Sequence, residues 1–292
     1  MPLWVLVPYD GSGQSRLAVD HAFERFATDE ITILHVIEPF PDHSKAAGHP
    51  GQRHDRVYRE RNQLVNEVVP AGRDGTDGVR TELIYGRPVV EIPRFIETNG
   101  IDEVVMGSRG LDDISTVLLG SVSQAVVRNS PVPVTVVRPP YETKDDTEPQ
   151  SILVPFDGSA PSRSALAYAC KEFRGAAITV LFVSEGTATK HDNLESEADL
   201  GEMIAQSGME EEHESHRLRS ASTRIADGYG REITSVFAAG DAATETLNRT
   251  RQHEIDHIVI GRKGRGKLKG LLSGSVAEVV VRRAPVSVTV VP

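Results

Sequence analysis

The sequence predicts an α/β protein of two tandem domains, each an open parallel sheet of five strands with helices on both faces. Three observations predict it. Short β-branched runs alternate with helix-period segments along the whole chain. The runs are continuously apolar, as expected of strands buried on both faces of a parallel sheet. The pattern also occurs twice. Val5–Phe26 (VLVPYDGSGQSRLAVDHAFERF) returns as Leu153–Phe173 (LVPFDGSAPSRSALAYACKEF), and Val104–Val137 returns as Ile258–Val291. A duplicated supersecondary pattern means a duplicated fold unit.

In the first copy the strands fall at about 3–9, 31–37, 79–85, 102–107 and 132–138. Between the first two, Leu17, Ala18, His21, Ala22 and Phe26 recur at helical spacing, which predicts a helix over Ser15–Phe26. Glu38–Asp55, with Pro39, Pro41, Gly48, Pro50 and Gly51, reads as a surface loop leading into a polar helix at Arg56–Val69. Asp10 corresponds to Asp157, 147 positions on, whereas Gly107 corresponds to Gly261, 154 positions on. The second copy is therefore longer between the second and third strands, where Gly186–Gly208 is acidic and weakly patterned. Pro139–Gln150 is rich in proline and charge without an apolar period. The expected domains are residues 1–139 and 151–292, joined by a linker at 140–150.

A length of 292 residues suits two domains, and 39% apolar residues suffice for packed cores. No apolar run reaches the ~20 residues of a membrane helix. The N-terminal PLWVLVPYDGS lacks the basic start of a signal peptide and reads as a first strand. Cys170 is the one cysteine, so no internal disulfide forms, which fits a cytoplasmic protein. A net charge of −10 argues against general nucleic-acid binding.

The chemistry concentrates in the second repeated stretch. In each copy a strand ends in G-x2-G-x9-G-S before a helix: Gly107, Gly110, Gly120 and Ser121, then Gly261, Gly264, Gly274 and Ser275. Strand, glycine loop and helix N-terminus bring backbone N–H groups close to a phosphate. The common alternatives are absent. Gly266-Lys267 is followed by Leu268, so there is no P-loop, and Arg16 stands where G-x-G-x-x-G needs its third glycine.

Asp10 and Asp157 follow the first strand of each copy, where open α/β sheets bind ligands. Each carboxylate is expected to bond a ribose hydroxyl or to help hold a phosphate-bound metal ion. The competing role is an Asx turn or helix cap ahead of Ser12 and Ser15. The backbone at Val36 and Val183, ending the second strands, is expected to read an adenine edge. Gly107, Gly110, Gly120, Ser121 and Ser123 would surround the phosphates, as would Gly261, Gly264, Gly274 and Ser275. The remaining candidate contacts flank these: Pro8, Tyr9, Met106, Arg109 and Val122 in the first copy, and Pro155, Phe156, Ile260, Lys263 and Val276 in the second. The loops differ in charge. Arg262, Lys263, Arg265, Lys267 and Lys269 serve the second, whereas the first has Arg109 followed by Asp112 and Asp113. Tighter binding at the second site is the expectation. His43, His49 and His54 in the loop, and His213 and His216 at i, i+3 on a helix, lack a further ligand set for a metal. Cys170 lies on an apolar helix face with Leu166, Ala169 and Phe173, which suits packing.

V-P-x-D-G-S opening each copy, G-x2-G-x9-G-S before the last helix, and a closing P-V-x-V-x-V strand resemble the universal stress protein family. The resemblance covers nearly the whole chain. It implies Rossmann-like domains with strand order 3-2-1-4-5, and binding of ATP, AMP or ADP, with or without Mg2+, in members carrying the glycine motif. It also implies pairing of last strands, here Val132–Val137 with Val286–Val291 inside one molecule, with a homodimer of chains as a further step. The function so implied is a stress-response role through ligand-dependent stability and partner contacts. No catalytic residue is expected, and no membrane or nucleic-acid partner. An adenylyl-transferring or ATP-cleaving enzyme would carry H-x-G-H or S-G-G-x-D-S, and neither occurs. A slow ATPase and a scaffold with empty sites are the other readings.

Overall fold

The computed structural model describes residues 2–38, 50–69, 78–108, 119–139, 149–184, 197–262 and 276–292, with the side chains of 50–54 and 197–212 left undescribed. The chain falls into two compact units, built mainly on residues 1–148 and 149–285.

In the first unit, strand β1 (Trp4–Pro8), helix α1 (Gly13–Arg25), β2 (Glu30–Ile37), α2 (Pro50–Val68), β3 (Val79–Tyr85), α3 (Pro88–Thr98), β4 (Glu103–Gly107), α4 (Ser121–Asn129) and β5 (Val134–Val137) follow one another. The sheet order is β3-β2-β1-β4-β5, with every pair parallel. The direction of strand addition reverses between β1 and β4. That switch point leaves a crevice beyond the carboxyl ends of the two strands.

The strands sort side chains by alternation. Val5, Val7, Tyr9, Ile31 and Ile33 pack with Ala18, Val19, Ala22, Val65 and Val68 from α1 and α2. Leu6 and Leu34 point the other way and are equally buried, as are Ile92 and Ile96 of α3 and Val126 of α4. Burial on both faces is why these strands read as unbroken apolar runs.

The second sequence copy repeats this plan with β6 (Ser151–Pro155), α5 (Ala160–Glu172), β7 (Ala177–Ser184), α6 (Glu197–Gly228), β8 (Ile233–Ala239), α7 (Ala242–Gln252), β9 (His257–Gly261), α8 (Val276–Arg283) and β10 (Ser287–Val291). Its order is β8-β7-β6-β9-β10. Ile152, Val154, Phe156, Ile178, Val180 and Phe182 form its core with Leu166, Ala169, Cys170 and Phe173 of α5. Cys170 is buried, as its helix face predicts.

Two expectations need correcting. Helix α2 begins at Pro50, so part of the expected loop, His54 included, is helical. Proline breaks a helix in its interior, but at the first helical position its fixed φ starts a helix and its missing N–H costs nothing. Helix α6 begins at Glu197, within the stretch read as weakly patterned, and carries His213 and His216. Gly201 and Gly208 each lower helix propensity by about 1 kcal/mol, a deficit that a 32-residue helix absorbs. His43 and His49 lie outside the described residues. Among those described, no helix is long and apolar enough to cross a membrane.

Candidate functional site

The rim at the carboxyl ends of β1, β2 and β4 collects the expected residues of the first unit. Strand β1 ends at Pro8, and the Tyr9 N–H donates to the Leu34 carbonyl of β2 at 2.8 Å. The chain then turns sharply. Asp10 Oδ1 accepts the Ser12 N–H at 2.9 Å, an Asx turn, with Gly11 at φ +89° inside it. A side chain at Gly11 would be strained in that left-handed conformation and would press on Leu64, 3.2 Å from the position of its Cβ. Ser12 is the N-cap of α1, its Oγ accepting the Ser15 N–H at 3.1 Å.

The second unit builds the same turn. Asp157 Oδ1 accepts the Ser159 N–H at 2.9 Å, and Ser159 caps α5 through the Ser162 N–H at 3.3 Å. Gly158 has φ +75°. The modest reading of these aspartates, turn formation ahead of a capping serine, is therefore realised in both copies. The turn uses Oδ1 and fixes the carboxyl group at the mouth of the crevice.

The first glycine of the repeated motif has a packing reason of its own. A Cβ on Gly107 would stand 2.6 Å from the Gln14 carbonyl oxygen, and one on Gly261 would stand 2.5 Å from the Pro161 carbonyl carbon. Only glycine lets the first turns of α1 and α5 close onto the ends of β4 and β9. The Gly120 N–H donates to the Ser108 carbonyl at 2.8 Å, which closes the base of the loop, and Gly120 is the N-cap of α4. Ser121 and Val122 form the first turn of α4, and Val276 begins α8.

Ser123 differs from expectation. Its hydroxyl donates to the Gly107 carbonyl at 2.9 Å in a buried position, so it fastens α4 to β4 instead of facing a phosphate. Its counterpart in the second copy is Ala277. Met106 and Ile260 are buried within their sheets, and Val36 and Val183 are the next-to-last residues of β2 and β7. Arg109, Gly110, Lys263, Gly264, Gly274 and Ser275 lie outside the described residues, as do Asp112, Asp113, Arg265, Lys267 and Lys269.

His35 was not singled out, although a histidine inside ITILHVI is the one titratable group in that strand core. It is 6% exposed, and its Nδ1 lies 2.7 Å from the Tyr9 carbonyl oxygen. A carbonyl only accepts, so Nδ1 carries the proton. Burial lowers the imidazole pKa; the Tyr9 bond and Asp10 oppose that, while Arg61 adds to it. Burial also raises the Tyr9 phenol, against the nearby Arg16. In the second unit Phe156 and Phe182 meet edge-on at 5.8 Å in the equivalent places, and Phe237 stacks on Phe182. Among the described residues no cluster of three or more His, Cys, Asp or Glu could hold a metal ion.

The universal stress protein family's sequence profile matches residues 4–138 and again 149–292. The chain belongs to the universal stress protein family. The universal stress protein Rv2005c of Mycobacterium tuberculosis is 27% identical over 98% of this chain and 96% of its own. A universal stress protein structure from Archaeoglobus fulgidus superposes with a TM-score of 0.65 at 25% identity, covering 99% of this chain and 97% of that one. Another solved universal stress protein, in complex with cAMP, is 27% identical over 47% of this chain and 96% of its own, with a TM-score of 0.32.

Proposed function

We propose that this universal stress protein binds an adenine nucleotide, ATP or its AMP and ADP relatives, in the rim crevice of each unit. Occupancy then changes its stability and the partners it contacts, and the protein acts as a binder and not as an enzyme. One observation carries the reading. The same constellation is built twice: an Asx-turn carboxylate, a capped helix start, and a glycine strand end that lets the two close together. Asp10 and Asp157 are assigned to a ribose hydroxyl, and Val36 and Val183 backbone to the adenine edge. The starts of α4, capped by Gly120, and of α8, at Val276, are assigned to the phosphates, with backbone N–H groups and dipole favouring the anion. Any Mg2+ rides on the phosphates. The cation-rich loop after Gly261 makes the second site the tighter one.

The family domains are proposed to span 1–139 and 151–292, with 140–150 as linker, in a cytoplasmic protein without nucleic-acid or membrane partners. β5 lies at the margin of its own sheet with all four residues buried, which favours a strand partner, and the last strand of the other copy is the natural one. The test is mass spectrometry of nucleotide released from the denatured, freshly purified protein, counted per chain. One equivalent for each unit is the expected result, and a single equivalent points to the second site alone. Empty protein that also fails to bind millimolar ATP would leave the scaffold reading.

A further inference from the structure

We propose that His35 makes nucleotide occupancy of the first unit rise on acidification, whereas the second unit, with Phe182 in the same place, binds without this dependence. The proposal deepens the nucleotide reading above and rests on it.

The two rims share a backbone plan but differ where β2 and β7 end. In the first, the imidazole of His35 is tied through Nδ1 to the Tyr9 carbonyl, one residue before the turn-forming Asp10. Its contact is the Tyr9 carbonyl, and the charged groups that act on it are the Asp10 carboxylate after β1 and the Arg61 guanidinium of α2. Its register partner on β3 is Leu83, which adds no charge. In the second rim an aromatic row, Phe156, Phe182 and Phe237, fills the corresponding positions and cannot take a proton.

Without nucleotide, burial opposes the imidazolium form more than Asp10 and Tyr9 favour it, so the pKa is lowered. A nucleotide brings several negative charges beside Asp10, whose own carboxylate repels them. Protonation of His35 offsets that carboxylate. Nucleotide binding and proton uptake therefore favour each other in this unit, and linkage makes the coupling reciprocal. His35 acts through Tyr9 and Asp10, so it is a positioning residue and not a ligand.

The test measures ATP binding to the full chain by calorimetry at pH 7.5 and 5.5 with chelator present. Protons taken up per ATP are read at pH 6 from the dependence of heat on buffer ionisation. His35→Gln keeps an N–H for the Tyr9 carbonyl but cannot titrate, so ATP's own protonation cancels in the comparison. The wild type is expected to gain at least about fivefold in affinity at pH 5.5 relative to His35→Gln, with greater proton uptake. Affinities at pH 7.5 should agree. The reciprocal Phe182→His variant, a gain-of-function arm independent of how His35 variants fold, should add proton uptake. Equal proton uptake in wild type and His35→Gln overturns the proposal and leaves the nucleotide reading standing. Absence of ATP binding by the wild type at both pH values overturns the nucleotide reading, and this proposal with it.

Discussion

At Gly107 and Gly261 the motif that announces a phosphate loop is also a packing requirement. The atoms that a new Cβ would meet are backbone atoms of Gln14 and Pro161, which cannot swing aside as a side-chain tip could. Gly107→Ala should therefore destabilise the first unit by about 1–3 kcal/mol, through the strain of overpacking. Chemical denaturation of the nucleotide-free chain measures it, and a loss below a few tenths of a kcal/mol would show that α1 shifts freely. The glycines were legible from sequence because both copies repeat them, but spacing alone could not separate the helix-packing glycine from those beside a ligand. Ser123 shows the same limit: a serine three residues past a glycine reads as a phosphate ligand until its hydroxyl is found on the Gly107 carbonyl. His35 escaped notice for the opposite reason, since an apolar run hides a polar residue whose partner is a backbone carbonyl 26 positions away.

At the scale of elements, strand positions and the first helix of each copy followed directly from period and capping residues. The structure starts α2 earlier than the sequence pattern suggested, because Pro50 is a signal with two meanings. One connection was beyond any periodic reading. Arg231, in the turn after α6, donates Nη1 to the Phe173 carbonyl at 2.9 Å and also bonds the carbonyls of Arg174 and Ala176. Phe173 is the C-cap of α5, and Arg174 and Ala176 lie in the connection to β7, so the cation sits at the helix C-terminus, where it suits the dipole. The guanidinium thus fixes the end of α6 against the end of α5 across 55 or more residues of sequence. Arg231→Ala should cost about 2 kcal/mol, at the scale of hydrogen bonds made by a charged donor that is half-buried. Arg231→Lys should recover only part of it, because an ammonium cannot span three carbonyls as the planar fork does. Urea unfolding resolved by hydrogen exchange should place the loss in the second unit. Equal protection of α5 in wild type and Arg231→Ala would show that the bonds add no net stability.

For the molecule as a whole, duplication has left two units with one backbone plan and different titratable side chains at corresponding positions. His21 on α1 has Tyr168 as its counterpart on α5, just as His35 has Phe182. The His21 Nε2 is buried and has no hydrogen-bond partner among the described residues. Burial, helped by Arg25 one turn along, lowers its pKa to about 4 from 6.5. Above pH 6.5 both folded and unfolded chains hold it neutral, and it contributes no pH dependence. Between 6.5 and about 4 the unfolded chain takes up a proton that the folded unit refuses, so stability is lost as the pH falls. The loss is complete below about 4 and reaches roughly 3 kcal/mol at 1.36 kcal/mol per pH unit. His35, lowered in the same direction, adds to it in the nucleotide-free chain. Tyr168 and Phe182 impose no such penalty at the corresponding positions of the second unit. At pH 5 the nucleotide-free protein should therefore open first in residues 1–139, and limited proteolysis by an acid-active protease should leave the C-terminal half intact longer. His21→Tyr, which borrows the second unit's own residue, should narrow the difference. Cleavage of both halves at equal rates at pH 5, with the ratio unchanged in His21→Tyr, would show that the buried imidazole does not set the order of opening.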